Sequence, residues 1–325
     1  MLGELGAVLV GVAFGYAAQR GAFCLNSGFR KVLEGEWAQV KALTLAVAIQ
    51  LLLLPAVFGL GWAQPAALPL KPVAGITGGV LFGLSMRWAG GCAAGVWYKL
   101  GAGEVGALLA ILGMALGATA AASGPLAALS AQLQGAVSVP PSWNAPPLVS
   151  LAAGLIVLAG LMRAAAGGAG AWSWRRTGLW IGLVAVAAWP VSAAADRGFG
   201  LAVVPGTTGM LSALSGNAFP AWDLLLLVGL VVGGWLGACR GGTVALRAPA
   251  ASALLQRFAG GMGLGVGASI ASGCTVGQGL TGLALLSPSS VLVMSAIFGG
   301  SAVSTAMARR RQLASASLLV PSSSR

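Results

Sequence analysis

The chain carries Gly91-Cys92-Ala93-Ala94-Gly95 and, in its second half, Gly273-Cys274-Thr275-Val276-Gly277. In both stretches a cysteine stands between glycines, and both stretches lie in apolar, glycine-rich surroundings. Aligning the two cysteines also pairs Gly79 with Gly261. The two halves of the chain are therefore predicted to build equivalent thiol-bearing segments, an internal repeat of the kind found in many membrane proteins.

The composition places the chain in a lipid bilayer. Of its 325 residues, 58% are hydrophobic and only 7% are charged, and the mean hydropathy is +0.91. A water-soluble domain of this length would need more polar surface. An α-helix satisfies its own backbone hydrogen bonds in lipid. The sequence therefore predicts an all-α integral membrane protein with membrane lipid around it.

The charge is interpreted as a topology signal. A net charge of +12 would favour nucleic acid in a soluble protein, but here the cations are spread through short loops between apolar runs, so no nucleic-acid partner is predicted. The cluster Arg309, Arg310 and Arg311 indicates a cytoplasmic C-terminus. The chain has no histidine and no Cys-x-x-Cys pattern, so we predict neither a metal nor a cofactor.

The apolar segments fall into two groups. Six are long enough to cross a bilayer, at residues 40–62, 104–123, 147–163, 178–195, 222–239 and 289–308. Others are short or interrupted by glycine and are predicted to be half-helices or re-entrant segments, at residues 5–18, 73–89, 92–100, 200–215, 256–271 and 274–286. Paired short segments at membrane depth indicate a substrate path, because irregular backbone must be solvated there.

The repeat predicts a domain organisation. A weaker match pairs residues 17–21 with 194–198, and in it Cys24 corresponds to Leu201. We assign residues 1–123 to a first transmembrane repeat and 148–311 to a second. Residues 124–147, which contain five prolines, are predicted to be a linking loop or surface helix, and residues 312–325 a disordered tail.

The glycine-cysteine motifs are candidate anion sites. A half-helix that begins at a glycine leaves its first N–H groups unpaired, and these attract an anion together with the helix dipole. Cys92 and Cys274 would lie in the first turn of such helices. The predicted backbone ligands are the glycines of the two motifs, Gly91, Gly95, Gly273 and Gly277.

Other polar residues receive more modest roles. Cys24 lies where a short apolar segment meets polar residues and joins the candidate site, whereas Cys239 is interpreted as a helix-packing residue. Arg197 is expected to be neutralised by Asp196, and Glu104 and Asp223 to cap helix N-termini. Tryptophans such as Trp97 are assigned to interfacial belts. The cations that could attract an anion to the motifs are Arg20, Arg87 and Lys99.

The segments 20–28, 88–95 and 272–279 resemble those of the YeeE/YedE sulfur-transport family, and the resemblance covers nearly the whole chain. It implies thiosulfate import across the bacterial inner membrane through an hourglass-shaped monomer with two pseudo-symmetric, inverted repeats. It implies essential cysteines at Cys24, Cys92 and Cys274, about nine full spans, and a separate cytosolic sulfurtransferase-like partner.

The chemistry of thiosulfate agrees with this resemblance. Its terminal sulfur is a soft, weak hydrogen-bond acceptor, and a neutral thiol, which burial in apolar surroundings favours, can donate to it. The hypothesis is thus a transporter, not an enzyme, with Cys92 and Cys274 near the constriction and Cys24 farther along. Another sulfur or selenium compound is the alternative substrate. A membrane thiol–disulfide oxidoreductase is the alternative of another class, but it needs a close cysteine pair, and these cysteines are distant in sequence.

Overall fold

The computed structural model describes residues 2–66, 68–139, 145–165, 167–214, 216 and 221–319. Across these ranges the regular structure is helical throughout, without a β-strand. The helices are α1 (Leu2–Arg20), α2 (Leu25–Val32), α3 (Ala38–Gly59), α4 (Pro72–Ala89), α5 (Ala93–Gly101), α6 (Val105–Ala122), α7 (Ala127–Gly135), α8 (Pro147–Met162), α9 (Trp174–Ala193), α10 (Val204–Leu214), α11 (Ala221–Arg240), α12 (Ala251–Ile270), the π-helix Gly277–Gly282 and α13 (Pro288–Leu319).

The described residues contain six stretches long and apolar enough to cross a membrane. They are Gly3–Val32, Ala38–Gly59, Val105–Ala122, Trp174–Ala193, Ala221–Arg240 and Pro288–Arg310. Five of them coincide with predicted spans, and the sixth predicted span is the shorter apolar helix Pro147–Met162. The prediction of an all-helical membrane protein is confirmed.

Three segments predicted to be short or broken are continuous helices instead. Residues 5–18 lie inside α1, 73–89 inside α4 and 256–271 largely inside α12. Their glycines serve helix contact rather than interruption: a Cβ at Gly11 would overlap the carbonyl oxygen of Leu226, and one at Gly261 would overlap that of Ala110. Small residues let helix backbones approach closely in membranes, and the helix continues through them.

The helices that make these close contacts come from distant parts of the chain. Helix α1 packs along α11, α6 along α12, α4 along α13, and α3 along α9. Each pair joins a helix that precedes α7 with one that follows α8. The first and second halves of the chain therefore interlock instead of forming separate bundles.

Short helices start in the interior of this arrangement. Helix α10 and the π-helix fall within the predicted short segments 200–215 and 274–286, and α5 extends one residue beyond the segment 92–100. Helix α2, which follows Cys24, was not among the predicted segments because its polar face masks it in a hydropathy scan. Where we expected an α-helix from Cys274, the backbone forms a π-helix from Gly277.

The link and the tail both contain helix. The predicted link includes α7, and residues 140–144 lie outside the described part of the chain. Where the tail was predicted to be disordered from Gln312, α13 continues to Leu319. Residues 320–325 lie outside the described part.

Loop contacts define two ends of the molecule. At one end the Trp172 N–H donates to the Arg20 carbonyl at 3.3 Å. At the other end the Ala66 N–H donates to the Gly198 carbonyl at 2.7 Å. We call the first the basic end because, among the described lysines and arginines, Lys71 and Arg197 lie at the opposite end and all the others lie at this one.

Candidate functional site

Cys24 and Cys92 of the predicted path stand directly before a helix, and Cys274 stands three positions before the π-helix. The Cys24 carbonyl accepts from the Gly28 N–H at 2.9 Å, that of Cys92 from Val96 at 3.1 Å, and that of Cys274 from Gln278 at 2.8 Å. The Cys24 and Cys92 carbonyls thus accept the first hydrogen bond of their helices, and the Cys274 carbonyl accepts that of the turn that leads into the π-helix. The first N–H groups of a helix lack partners within it, and here several of them face the thiol of the same cysteine.

Two of the thiols meet in what we call the paired-thiol site. The sulfurs of Cys24 and Cys92 are 3.9 Å apart, and both side chains are buried. The Cys92 thiol has backbone hydrogen-bond partners at Leu25, the first residue of α2, and at Gly95 in the first turn of α5. Two helix starts therefore converge on one sulfur pair, a favourable place for negative charge.

Two residues of α5 complete the paired-thiol site. Buried Tyr98 lies within hydrogen-bonding reach of Cys24. Lys99 directs its Nζ to the carbonyl oxygen of Gly90 at 2.8 Å, which closes the α4–α5 turn. That turn requires its glycine, because Gly90 has a φ of 79° and the Arg257 guanidinium lies where a Cβ would project. Tyr98 was missed in the sequence because nothing in its neighbourhood marks a contact with residue 24.

Cys274 forms the single-thiol site. Its thiol has backbone hydrogen-bond partners at Val276 and Gly277, which lead into the π-helix, and at Val203 and Val204, which lead into α10. Two helix starts therefore converge here too. In the position that corresponds to Cys24 by sequence, the structure has buried Leu201 in place of a second thiol.

Cys274 opens into a cavity of about 620 Å³ that we call the vestibule. The vestibule lies at the end opposite the basic end. Much of its lining is apolar, and its polar lining includes Ser130 and Gln134 from α7, Thr208 from α10 and Arg197. A vestibule of this size admits a small hydrated anion to the thiol.

Polar side chains fix the backbone around the single-thiol site. The Thr281 hydroxyl donates to the Leu201 carbonyl at 2.8 Å, and the Gln50 amide donates to the Leu280 carbonyl at 3.0 Å. These bonds tie the π-helix to the loop before α10 and to the middle of α3. π-Helices are uncommon and frequent at functional sites, where such extra bonds compensate their irregular backbone.

Arg197 and Asp223 form a buried ion pair that the sequence did not reveal. The guanidinium lies 2.7 Å from the Asp223 carboxylate, and it also donates to the Phe199 carbonyl at 2.9 Å and the Gly200 carbonyl at 2.7 Å. The expected neutralisation of Arg197 by its neighbour in sequence is therefore wrong, since its partner is Asp223. Asp223 lies in the first turn of α11, at a helix N-terminus as expected, and its carboxylate also pairs with this cation.

The remaining predicted residues fall at the basic end or at the turns. Arg20 and Arg87 end α1 and α4, on the far side of the molecule from the vestibule. Gly91 and Gly273 precede the two cysteines, and Gly277 opens the π-helix. Glu104 stands before α6, but its side chain makes no capping hydrogen bond.

The structure places Trp97 and Cys239 in different surroundings. Trp97 is not an interfacial residue: it is buried, and its indole N–H donates to the Thr207 hydroxyl at 3.2 Å, which joins α5 to α10. Cys239 is exposed near the end of α11, away from both thiol sites.

The argument against a close cysteine pair is also wrong, because Cys24 and Cys92 are neighbours although they are 68 positions apart in the sequence.

The fold and the thiol sites define a class: a multi-pass helical membrane protein with buried thiols at helix starts. A family model described as sulphur transport matches residues 20–303. The chain belongs to this family, as the sequence resemblance predicted.

Relatives that match most or part of the chain carry transporter names. The chain is 34% identical over 308 residues to the thiosulfate transporter TsuA of Spirochaeta thermophila, a match that covers 88% of this chain and 93% of the relative. It is 30% identical over 309 residues to the thiosulfate transporter TsuA of Escherichia coli, covering 87% of this chain and 88% of the relative. A probable transporter, YedE of Escherichia coli, is 32% identical over 120 residues, covering 35% of this chain and 28% of the relative.

Proposed function

We propose that the chain is a transporter that imports thiosulfate across a bacterial inner membrane. The observation that carries the proposal is the position of Cys24, Cys92 and Cys274, each at or just before the start of a helix whose first N–H groups lie beside its thiol. Amide N–H groups suit the charged oxygens of thiosulfate, and neutral thiols suit its terminal sulfur. The names of the relatives that match most of the chain support this substrate.

The proposed path runs from the vestibule to Cys274 and then to the paired-thiol site. The proposed backbone ligands belong to the glycines of the motifs: Gly277 at the single-thiol site, and Gly91 and Gly95 at the paired-thiol site. The predicted ligand Gly273 is left out, because its N–H already donates to the Ala268 carbonyl at 2.8 Å. The thiols act as neutral hydrogen-bond donors. Several weak sites in series allow an ion to enter and also to leave, which conduction requires.

We propose that two inverted repeats build this path. Helices α1 to α6 follow a long–short–long–long–short–long order, and α9 to α13 with the π-helix repeat it. Contacts between elements support the symmetry: the packing of α1 on α11 corresponds to that of α9 on α3, and that of α6 on α12 to that of α13 on α4. Helix α8 stands outside this correspondence, although the predicted boundary placed it in the second repeat.

The proposed topology has about nine full spans. Helices α4, α8 and α12 join the six apolar stretches, and an odd number of spans from α1 to α8 turns the second repeat upside down. The hourglass profile that the family resemblance implies stays a prediction. The positive-inside rule places the basic end in the cytoplasm, and with it the end of α13.

This orientation changes the role of the candidate cations. Lys71 lies at the entrance, where import begins, and favours anions near the vestibule. Arg197 lies there too, but the Asp223 carboxylate balances its charge. Arg20, Arg87 and Lys99 lie at the cytoplasmic end, where the ion would leave. A separate cytosolic sulfurtransferase-like protein, implied by the family resemblance, would act at that end.

Two alternatives have distinct consequences. Another sulfur or selenium anion would use the same path and would compete with thiosulfate for uptake. A thiol–disulfide oxidoreductase gains support from the contact between Cys24 and Cys92 at 3.9 Å. It would catalyse thiol oxidation without moving thiosulfate.

The test is uptake of labelled thiosulfate by liposomes that contain the purified protein. We expect saturable uptake by the wild type and a loss of about tenfold or more in Cys92→Ala and in Cys274→Ala, because each removes a hydrogen bond to a charged ligand. Cys239→Ala is the matched control and should retain uptake. Full uptake by both path variants would contradict the thiol path, and no uptake by a folded wild type would contradict the function.

A further inference from the structure

We propose that Cys24 and Cys92 form a reversible disulfide that closes the substrate path under oxidising conditions. This modification site rests on the proposed function and adds a form of regulation to it. Cys274 takes no part in the disulfide.

The geometry of the paired-thiol site carries the inference. The two sulfurs are 3.9 Å apart and already in contact. A disulfide bond is about 2.05 Å long, so the sulfurs need to approach each other by about 2 Å. Each thiol stands at the start of a short helix, of 8 residues in α2 and 9 in α5, so a side-chain rotation with a small helix shift can supply this movement.

The local packing brings the two sulfurs to one place. Gly95 faces both sulfurs, and a Cβ at this position would lie 2.9 Å from the sulfur of Cys24 and 3.3 Å from that of Cys92. Both thiols therefore occupy the space that a side chain at residue 95 would need, and the glycine is what allows them to lie together. The corresponding glycine of the single-thiol site, Gly277, has no thiol within 4 Å of such a Cβ.

The oxidation balances with a peroxide as the oxidant. One thiol gives two electrons to hydrogen peroxide, whose O–O bond breaks, and becomes a sulfenic acid with release of one water. The second thiol attacks that sulfur, the S–S bond forms, and a second water leaves. A dithiol reductant reverses the change by thiol–disulfide exchange and is itself oxidised to a disulfide.

Oxidation removes the chemistry that the path needs. The disulfide has no S–H donor, and it draws the starts of α2 and α5 together where the ion would pass. A path that admits thiosulfate to the pair, as the proposed function requires, also admits hydrogen peroxide, which is smaller and uncharged. In the part of the chain that the structure describes, Cys274 has no thiol neighbour with which to react in the same way.

The experiment uses full-length protein in liposomes with the Cys239→Ala substitution, which removes the exposed thiol. The protein is treated with hydrogen peroxide, and its peptides are analysed by mass spectrometry without reduction. We expect a cross-link between the peptides of Cys24 and Cys92, with the loss of two hydrogens. Uptake of thiosulfate should fall by about tenfold or more with the lost donors and return after dithiothreitol.

Control variants separate the possible outcomes. Cys274→Ala in the same background should still form the cross-link, and Cys92→Ser should not. Oxidation of Cys24 and Cys92 to separate sulfenic or sulfinic acids would overturn the inference, as would a cross-linked protein that still transports. If the reduced protein shows no uptake, the proposed function is wrong, and with it the proposal that the disulfide closes the path. The disulfide itself is detected by mass spectrometry, so this measurement does not depend on transport.

Discussion

Gly95 determines how closely the two thiols of the paired-thiol site approach each other. Because it has no side chain, both sulfurs can lie where a Cβ would contact them, at a point where two helix starts meet. The same motif position in the second half, Gly277, faces mostly open space, and the nearest atom to a Cβ there is the Phe199 ring at 3.8 Å. The two glycines thus occupy equivalent motif positions, but residue 277 has room for an added methyl group and residue 95 does not.

We predict that Gly95→Ala impairs uptake more than Gly277→Ala. The added methyl group at residue 95 displaces one or both thiols, and overpacking of this kind costs about 1–3 kcal/mol. The displaced atoms are the proposed ligands, so the displacement also weakens binding of the ion. Uptake should fall about tenfold for each 1.4 kcal/mol of binding free energy that is lost. The measurement is thiosulfate uptake by the two variants in liposomes at equal protein content. Equal uptake by both would show that the spacing of the thiol pair is unimportant.

The placement of Cys92 and Cys274 near the starts of short helices could be predicted from the sequence, whereas the side chains that surround them could not. Cys92 and Cys274 occupy the same position in a repeated glycine motif, so the sequence of one chain is enough to indicate them as candidate site residues. Tyr98 and the Arg197–Asp223 pair meet their partners across long separations in the chain. No local pattern encodes such contacts, because the helix packing that creates them is set by many small residues at once.

At the scale of elements, glycine has two opposite effects in this chain. In α1 and α12 it lets neighbouring helices approach, and the helix continues. At Gly90 it adopts a positive φ, and α4 ends there. Both kinds of glycine lie in apolar, glycine-rich segments. The hydropathy pattern therefore predicts where the apolar segments lie, but it does not predict which of them are interrupted.

Arg197 fixes the position of the loop that precedes α10. Through the Phe199 and Gly200 carbonyls it fixes the loop that carries Val203 and Val204 to the Cys274 thiol. The ion pair with Asp223 anchors the guanidinium to α11. The loop is therefore attached to the body of the protein by a side chain that also lines the vestibule.

We predict that Arg197→Lys keeps the ion pair but lowers uptake severalfold, because an ammonium group cannot reproduce the planar fork that binds the carboxylate and both carbonyls. Arg197→Ala should be worse, since it leaves the buried Asp223 carboxylate unpaired at a cost of about 3–5 kcal/mol. Thermal unfolding in detergent and uptake in liposomes measure the two effects separately. Arg309→Lys, which alters an exposed ion pair with Glu34, is the control and should match the wild type. Unchanged uptake in Arg197→Lys would rule out a role for the carbonyl bonds.

At the scale of the whole molecule, the charge distribution and the repeat support one topology. The described cations other than Lys71 and Arg197 lie at the basic end, which the positive-inside rule assigns to the cytoplasm. In the proposed inverted repeats, the single-thiol site lies nearer one face and the paired-thiol site nearer the other. The proposed path, with thiols on both sides of its centre, follows from this symmetry.

We predict that the loop before α12 and the segment after α7 lie on opposite sides of the membrane. Leu246 is 88% exposed in the first, and Ala136 is exposed in the second. Leu246→Cys and Ala136→Cys, each in a Cys239→Ala background, provide single exposed thiols for a membrane-impermeant maleimide. The thiol at 136 should be labelled in spheroplasts and the thiol at 246 in inverted membrane vesicles.

The Cys239→Ala parent gives the background, because its remaining thiols are buried. Labelling of both positions from the same side would contradict the arrangement of spans, since an odd number of crossings must separate them. Labelling from opposite sides but in the reverse sense would keep the spans and invert the molecule. In that case the vestibule would face the cytoplasm, and the path from Cys274 to Cys92 would be one of export.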